Sequence, residues 1–516
     1  MGRGRSFRCL LRFQEYSKCS FYVNKKKSRG PWSTIVKGRE SHWLIFLVIA
    51  SGVFLSTLDS SMVNIALPSI MKEFHSPLHK TEWVVMAYLL TTSSTLLFWG
   101  HLADRLGRSR FYTLGFLLFG IGSAGCALSG SLNMLIGARF FQALGAAMMM
   151  ANGPAIIRHT FPAARLGRSM GFIGIPVSLG LMCGPAVGGM LIEFFSWRAL
   201  FTLSVAASFG FALLSYFILP RSPAGQTAEK RSYDWPGALI WTLLLCTASL
   251  SLTHAFSAEI SWQWGMLMIC SALLACVVFV KIEARAAEPV LPLAFLKKRF
   301  FTIGVVSALL SFLLLFFVLI LVPFYLDRVL GLSAARIGLI MTTIPLAAIV
   351  AAPVAGWLSD SIGARILSTL GLALSTSGLL LLASLTPQTS PWGVAARLSL
   401  LGLGQAIFLS PNSASVLARM GARNSGTAAA LLATARNLGM MLGVALAGLF
   451  FSLFFRQLTG GVELKNYTPG LEDFFCRALR SSFLLIAVAG FAAVAISWQR
   501  PVFESERPGS DTDIQE

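Results

Sequence analysis

Residues 100–115 read GHLADRLGRSRFYTLG, and residues 356–371 read GWLSDSIGARILSTLG. Set side by side without a gap, the two share Gly100/Gly356, Leu102/Leu358, Asp104/Asp360, Gly107/Gly363, Thr113/Thr369, Leu114/Leu370 and Gly115/Gly371. A charged, glycine-bearing phrase written twice in one chain marks an internal repeat, each half building the same local structure.

The chain around the two copies is strongly apolar. Of 516 residues, 55% are hydrophobic and 12% charged, where a soluble domain carries about 25% charged residues. There are 39 Phe against 22 Asp plus Glu. A bilayer-spanning helix needs about 20 mostly apolar residues, and runs of that length recur at 43–68, 82–101, 110–129, 133–156, 167–192, 198–219, 235–255, 262–282, 300–326, 335–358, 365–386, 392–417, 424–455 and 479–498. Fourteen is even, so both termini fall on one side. The loops DRLGRSR, RHTFPAARLGR, EKRSYDW and KKRF concentrate positive charge on that side, which makes it cytoplasmic.

This segregation also explains the net charge of +20 without nucleic acid. The basic stretch before the first run, with KKKSR at Lys25–Arg29, reads as a tail near anionic lipid. It has no apolar core of the length a signal peptide needs. The eight cysteines form no CxxC and no metal-ligand spacing, so no cofactor or metal is expected.

The first copy of the phrase follows the second apolar run and the second copy follows the tenth. Both therefore lie on the cytoplasmic face. A six-helix repeat would separate them by six runs, so the extra two are an inserted pair. The expected fold is an all-α membrane protein of 14 transmembrane helices, two pseudo-symmetric six-helix bundles plus that pair. Residues 1–42 are a basic tail, 43–220 the first bundle, 221–298 the inserted pair with its linkers, 299–500 the second bundle and 501–516 a tail. In the phrase, Gly100 and Gly107 allow a tight turn. Asp104 suits a helix N-terminus, and Arg105 and Arg108 suit headgroups. With Asp360 these residues are expected to form a conformational latch.

Ionisable groups deep in a bilayer are costly and usually functional. Asp59 lies well inside the first run, beside a polar stripe of Ser56, Ser60 and Asn64 at four-residue spacing. Arg139 and Arg436 lie inside the fourth and thirteenth runs. Asp59 is the candidate proton carrier, tuned by burial and by Arg139. Ser60, Asn64, Tyr88, Gln142, Met149, Phe317 and Gln405 are candidates for a cleft wall. The plainer reading of each Met or Phe among them is core or lipid packing. Gly180, Gly184 and Gly188 recur every fourth residue and so form a smooth ridge, with Pro185 permitting a bend.

With these motifs in place, the sequence resembles the major facilitator superfamily, in particular its fourteen-helix drug:proton antiporter branch. The phrase at Gly100–Arg108 is similar to the family's loop signature. LDSSMVNIALPSI at Leu58–Ile70 is similar to its first-helix signature, with Ser61 where Thr is usual. RFFQALGAA at Arg139–Ala147 is similar to its fourth-helix signature, with Ala143 where Gly is usual. The segment GFIGIPVSLGLMCGPAVGGM carries the antiporter pattern at Gly171, Gly180, Gly184, Pro185, Gly188 and Gly189. In the second phrase Ala364 stands opposite Arg108.

The resemblance implies a multi-pass protein of the cytoplasmic (inner) membrane that works by alternating access. The fifth helix would meet the tenth, and the second the thirteenth, across the cleft. The protein would exchange protons for amphipathic small molecules such as drugs, dyes or quaternary cations, and the resemblance leaves room for a periplasmic adaptor protein. Two other readings stay open: a dedicated exporter of one endogenous metabolite, and a non-transporting membrane receptor. Primary ATP-driven transport is disfavoured because no Walker loop is present, and an enzyme because no HExxH and no paired intramembrane carboxylates appear.

Overall fold

The computed structural model describes residues 41–160, 174–220, 234–254, 262–286 and 293–501. The described residues from Leu44 onward belong to one unit, the main body. Its regular elements are helical throughout the described residues. In chain order they are α1 (Ser41–Glu73), α2 (Leu78–Thr81), α3 (Trp83–Leu106), α4 (Arg108–Ala127), α5 (Leu132–Thr160), α6 (Gly174–Phe194), α7 (Arg198–Ile218), α8 (Trp235–His254), α9 (Trp262–Glu283), α10 (Leu293–Leu296), α11 (Arg299–Arg328), α12 (Ala334–Met341), α13 (Thr343–Ile362), α14 (Ala364–Leu382), α15 (Pro391–Leu458) and α16 (Glu472–Trp498). Ten helical stretches among the described residues are long and apolar enough to cross a membrane, and each of the fourteen apolar runs overlaps helical backbone.

The two phrases fold alike. Gly107 (φ 106°) and Gly363 (φ 89°) both take a backbone conformation that favours glycine. Each donates its N–H to the carbonyl four residues back, Ala103 at 2.9 Å and Ser359 at 3.1 Å. Each accepts from the N–H four residues on, Phe111 and Leu367, both at 3.3 Å. The shared glycine at each phrase's end then meets a glycine of a following helix. A Cβ on Gly115 would lie 3.0 Å from the Gly145 carbonyl, and one on Gly371 2.7 Å from that of Gly404. The repeat in the sequence is thus a repeated helix–turn–helix whose helices close on a third.

Two boundaries differ from the sequence reading. The tenth run breaks at Thr342 into α12 and α13. Pro345 accounts for the break, because its ring cannot share a helix with the carbonyl of Met341, four residues earlier. The twelfth and thirteenth runs, expected to be separated near 418–423, share one helical backbone of 68 residues, α15. A straight helix of that length would span roughly 100 Å. It is not straight. Asn412 and Gln405 reach Gly304 (3.1 Å) and Ser311 (2.6 Å) of α11, running against it. Gly439 and Gly443 then pack on Leu309 and Leu313, running with it. The chain therefore reverses between Asn412 and Gly439. A sequence rich in Ala and Leu there, TAAALLATA, keeps the backbone helical.

Helices α8 and α9 pack on each other through Trp241 and Phe279, with ring centroids 5.2 Å apart. Trp235 of α8 meets Phe98 of α3 at 5.4 Å, and Ser249 donates to the Met441 sulfur of α15 at 3.2 Å. The pair thus sits beside one helix from each half.

Candidate functional site: a buried charge pair and a cavity on opposite faces of α1

Arg139, on α5, is 1% exposed and Asp59, on α1, is 0% exposed. The guanidinium Nη1 donates to Asp59 Oδ2 at 2.5 Å and to Gln142 Oε1 at 2.5 Å, and its Nε donates to the Val84 carbonyl at 3.0 Å. Gln142 Nε2 donates to Asp59 Oδ1 and to Ser123 Oγ, both at 2.8 Å. The Tyr88 ring covers the guanidinium at 4.3 Å. The carboxylate is thus held by a cation and an amide, which is what a charge buried in lipid requires.

Five residues apart on α1, Asp59 and Asn64 stand roughly 140° apart around the helix axis, and Ser61 stands roughly 200° from Asp59. Ser61 and Asn64 face a separate cavity of about 220 Å³. Its walls come from both halves of the chain: Val177, Leu181 and Pro185 of α6, Phe312 and Leu315 of α11, Met341, Pro345 and Ala348 of α12–α13, and Gln405 and Ser410 of α15. Among the described residues no charged side chain lines it. The Asn64 Oδ1 and the Gln405 Nε2 are buried without a partner among the described residues, one from each half of the chain. A small molecule with both a donor and an acceptor satisfies such a pair. The cavity is smaller than the ~300–1,000 Å³ usual for small-molecule sites.

Of the residues expected to line a cleft, Asn64 and Gln405 do so. Tyr88 and Gln142 belong to the charge pair instead. Met149 packs against Gly52 and Gly115 inside the first half. Phe317 stacks among Phe450 and Phe483, at 6.3 and 6.0 Å, inside the second. Ser60 is not among the cavity walls. Arg436 does not join the Asp59 pair. It lies 6.0 Å from the ring of Phe312, a cavity residue. The side chains of Asp104, Arg105 and Asp360, and all of Gly171, lie outside the described residues. Ser61 and Phe312 are among the cavity residues that escape the sequence reading; Ser61 sits in the first-helix signature, but its facing depends on where α6 lies.

The antiporter glycines divide into two sets. Gly180, Gly184 and Gly188 face α1: a Cβ on Gly184 would overlap Ser61 Oγ, and one on Gly188 would lie 3.2 Å from Met62 Cβ. This ridge, expected along the cleft between halves, therefore packs within the first half. Gly189 lies one residue, about 100°, further round the helix. There a Cβ would overlap the Ala334 carbonyl of α12, and a Cβ on Gly338 of α12 would overlap the Pro185 carbonyl. Next to them the Ala335 N–H donates to Glu193 Oε2 at 2.8 Å. These contacts join the two halves at the end of the bundle away from the two phrases, here called the far face.

A helical membrane body with a cavity shared between two repeated halves is the architecture of a transporter. The chain belongs to the Major Facilitator Superfamily, whose sequence pattern matches residues 49–333 and 303–514. It is 36% identical to the riboflavin transporter RibZ of Clostridioides difficile (strain 630), over 83% of this chain and 91% of that one. It is 28% identical to the multidrug resistance protein Stp of Mycobacterium tuberculosis (strain ATCC 25618 / H37Rv), over 78% and 75%. Among solved structures, a bacterial homolog of the human lysosomal transporter Spinster, inward-facing and occupied, superposes with a TM-score of 0.66 at 16% identity, over 89% of this chain and 97% of that one. That likeness is one of fold.

Proposed function

We propose that this transporter is a proton-coupled antiporter that exports amphipathic small molecules by alternating access, with the phrases on the cytoplasmic side and the far face outside. The observation that carries this reading is the arrangement around α1. One face of the helix holds the Asp59–Arg139 pair and another lines a cavity shared by the two halves. Protonating Asp59 removes the charge that Arg139 and Gln142 hold. That loosens α1 against α5 and changes how Ser61 and Asn64 stand in the cavity. Proton and cargo then compete through one rigid helix, which is the reciprocity that exchange requires.

The wall composition narrows the cargo. Quaternary cations were among the candidates from sequence. Among the described residues no carboxylate faces the cavity, so a permanent cation would lose its hydration without gaining a partner. Neutral amphipathic molecules with an amide-like donor and acceptor fit Asn64 and Gln405. A dedicated metabolite exporter is the second reading, favoured by the similarity to a riboflavin transporter. Proteoliposomes with an imposed pH gradient test both, using riboflavin and ethidium as probes. Gradient-driven riboflavin movement that a protonophore abolishes is the expected result. Riboflavin movement indifferent to the protonophore would refute proton coupling, and ethidium carried better than riboflavin would refute the neutral cargo.

A further inference from the structure

A second acid is buried in the main body, away from the Asp59 pair. Glu82 stands in the turn between α2 and α3, at the far face. Its backbone is fixed there. The N–H donates to the Leu78 carbonyl at 3.0 Å, and the Glu82 carbonyl accepts from Val85 and Met86, both at 2.9 Å. The residue is 0% exposed, and neither carboxyl oxygen has a hydrogen-bond partner among the described residues. The carboxyl group rests on Gly448 of α15. A Cβ on Gly448 would overlap its carboxyl carbon and both its oxygens. Glu82 belongs to the first half of the chain and Gly448 to the second, so the carboxyl is seated in the seam between them.

The neighbouring charges do not relieve it. On α2 these are His79 and Lys80; on α3 no charged residue occurs before His101; on α5 Arg139 reaches the Val84 carbonyl but is engaged by Asp59 and Gln142; on α15 the nearest are Arg436 and Arg456. None of them hydrogen-bonds the carboxyl. A carboxylate with neither oxygen partnered costs far more to bury than the neutral acid. The closed seam therefore suits a protonated Glu82. Parting the two halves would expose the group to solvent, where it ionises.

We propose that Glu82 is a proton-operated gate residue: a proton taken from the far-face solution lets its carboxyl enter the Gly448 seat and close the seam, and loss of that proton opens it. The sign follows from linkage, since the form that binds the proton more tightly is favoured as pH falls. Acid on the far face closes that face. The proton on Glu82 need not cross the protein, which makes this site distinct from an exchange site at Asp59.

The test uses the full chain in nanodiscs with no cargo. The eight native cysteines are replaced, and spin labels are placed at Gly130→Cys and Gln388→Cys. Both positions are exposed in far-face loops on opposite halves. Pulsed electron resonance then reads the far-face separation from about pH 5 to about pH 9. In the parent the open-to-closed ratio should rise up to about tenfold per pH unit through its midpoint, as one proton dictates. Glu82→Gln, nearly isosteric and always neutral, should stay closed, its ratio changing less than about twofold over the whole range. Gly448→Ala, which fills the seat, should remain open at every pH. A parent that does not respond to pH, a Glu82→Gln protein that titrates with the parent's midpoint or stays open throughout, or a Gly448→Ala protein that closes like the parent would each overturn the proposal. None of these readings depends on the cargo or on proton exchange at Asp59.

Discussion

Replacing Asp59 by Asn removes one charge of a pair whose members are almost fully buried. Truncating one partner of such a pair costs about 3–5 kcal/mol, because the other charge is left uncompensated. Here part of that is offset. The amide oxygen that replaces the carboxylate can still accept from Arg139, and the guanidinium keeps Val84, Gln142 and the Tyr88 face. One retained hydrogen bond is worth about 1 kcal/mol, so Asp59→Asn should cost about 2–4 kcal/mol. That is a large share of the roughly 5–15 kcal/mol that holds a domain folded. Adding Arg139→Gln removes the stranded charge. The double variant should recover most of the loss, with a coupling energy of about 2–3 kcal/mol in the cycle. Thermal unfolding of the purified proteins measures this. Gradient-driven riboflavin movement in proteoliposomes is then measured on the same samples. If the pair only braces α1, the double variant regains transport together with stability. If Asp59 exchanges the proton, stability returns and gradient-driven transport does not. A stable double variant that moves riboflavin up to the parent level under a pH gradient would refute the exchange role.

Two glycines five residues apart on α6 should fail in different ways. Gly184→Val places a branched side chain on Ser61, which donates to the Gly180 carbonyl at 3.1 Å; overpacking inside the first half should lower stability by about 1–3 kcal/mol, read as a drop in unfolding temperature. Gly189→Ala meets α12 across the seam, with Ala334 C and Ala335 Cα only 3.1 Å from the new Cβ. Its cost of similar size falls on the closed form alone, so the far face should open roughly 5- to 150-fold more often with little change in unfolding temperature. The Gly130/Gln388 spin-label pair reads that opening, and an unchanged distance distribution would refute the seam. Finally, a thiol reporter placed in the loop between Leu458 and Glu472 should react with an impermeant reagent from outside intact cells; protection there would invert the proposed orientation.

Much of this arrangement is written locally and so can be read. The paired phrases need only their own residues, and Gly107 and Gly363 turn as the shared glycines require. Asp59 and Arg139 stand out because lipid makes isolated charges expensive, and such charges find each other. The cleft is harder, because facing depends on partners. Gln142 is three residues from Arg139 and shares its helix face, which assigns it to the charge pair once that pair is known. Met149 and Phe317 carry no mark that separates core from cavity. Glu82 carries none either, since it stands at a helix boundary, where an acid is ordinarily solvated. Only the placement of Gly448 from the other half of the chain turns it into a buried group.

The seam contacts argue for a division of labour along α6 and α15. Each helix presents one set of small residues to its own half and another to the opposite half. Gly180, Gly184 and Gly188 bind α6 to α1, while Gly189 meets α12. Gly439 and Gly443 bind α15 to α11, while Gly448 meets Glu82. Contacts of the first kind involve neighbours in one packed group, and must persist if each half moves as a body. Contacts of the second kind lie at the far face and must break if the cavity is to open there. The small residues at the seam bring backbone against backbone at Gly189, but backbone against a carboxyl at Gly448. The first contact is indifferent to pH. The second is not, because an ionised Glu82 has no hydrogen-bond partner in its seat. A seam built from both kinds is held by packing and timed by a proton, so the far face closes when Glu82 carries one and parts when it does not.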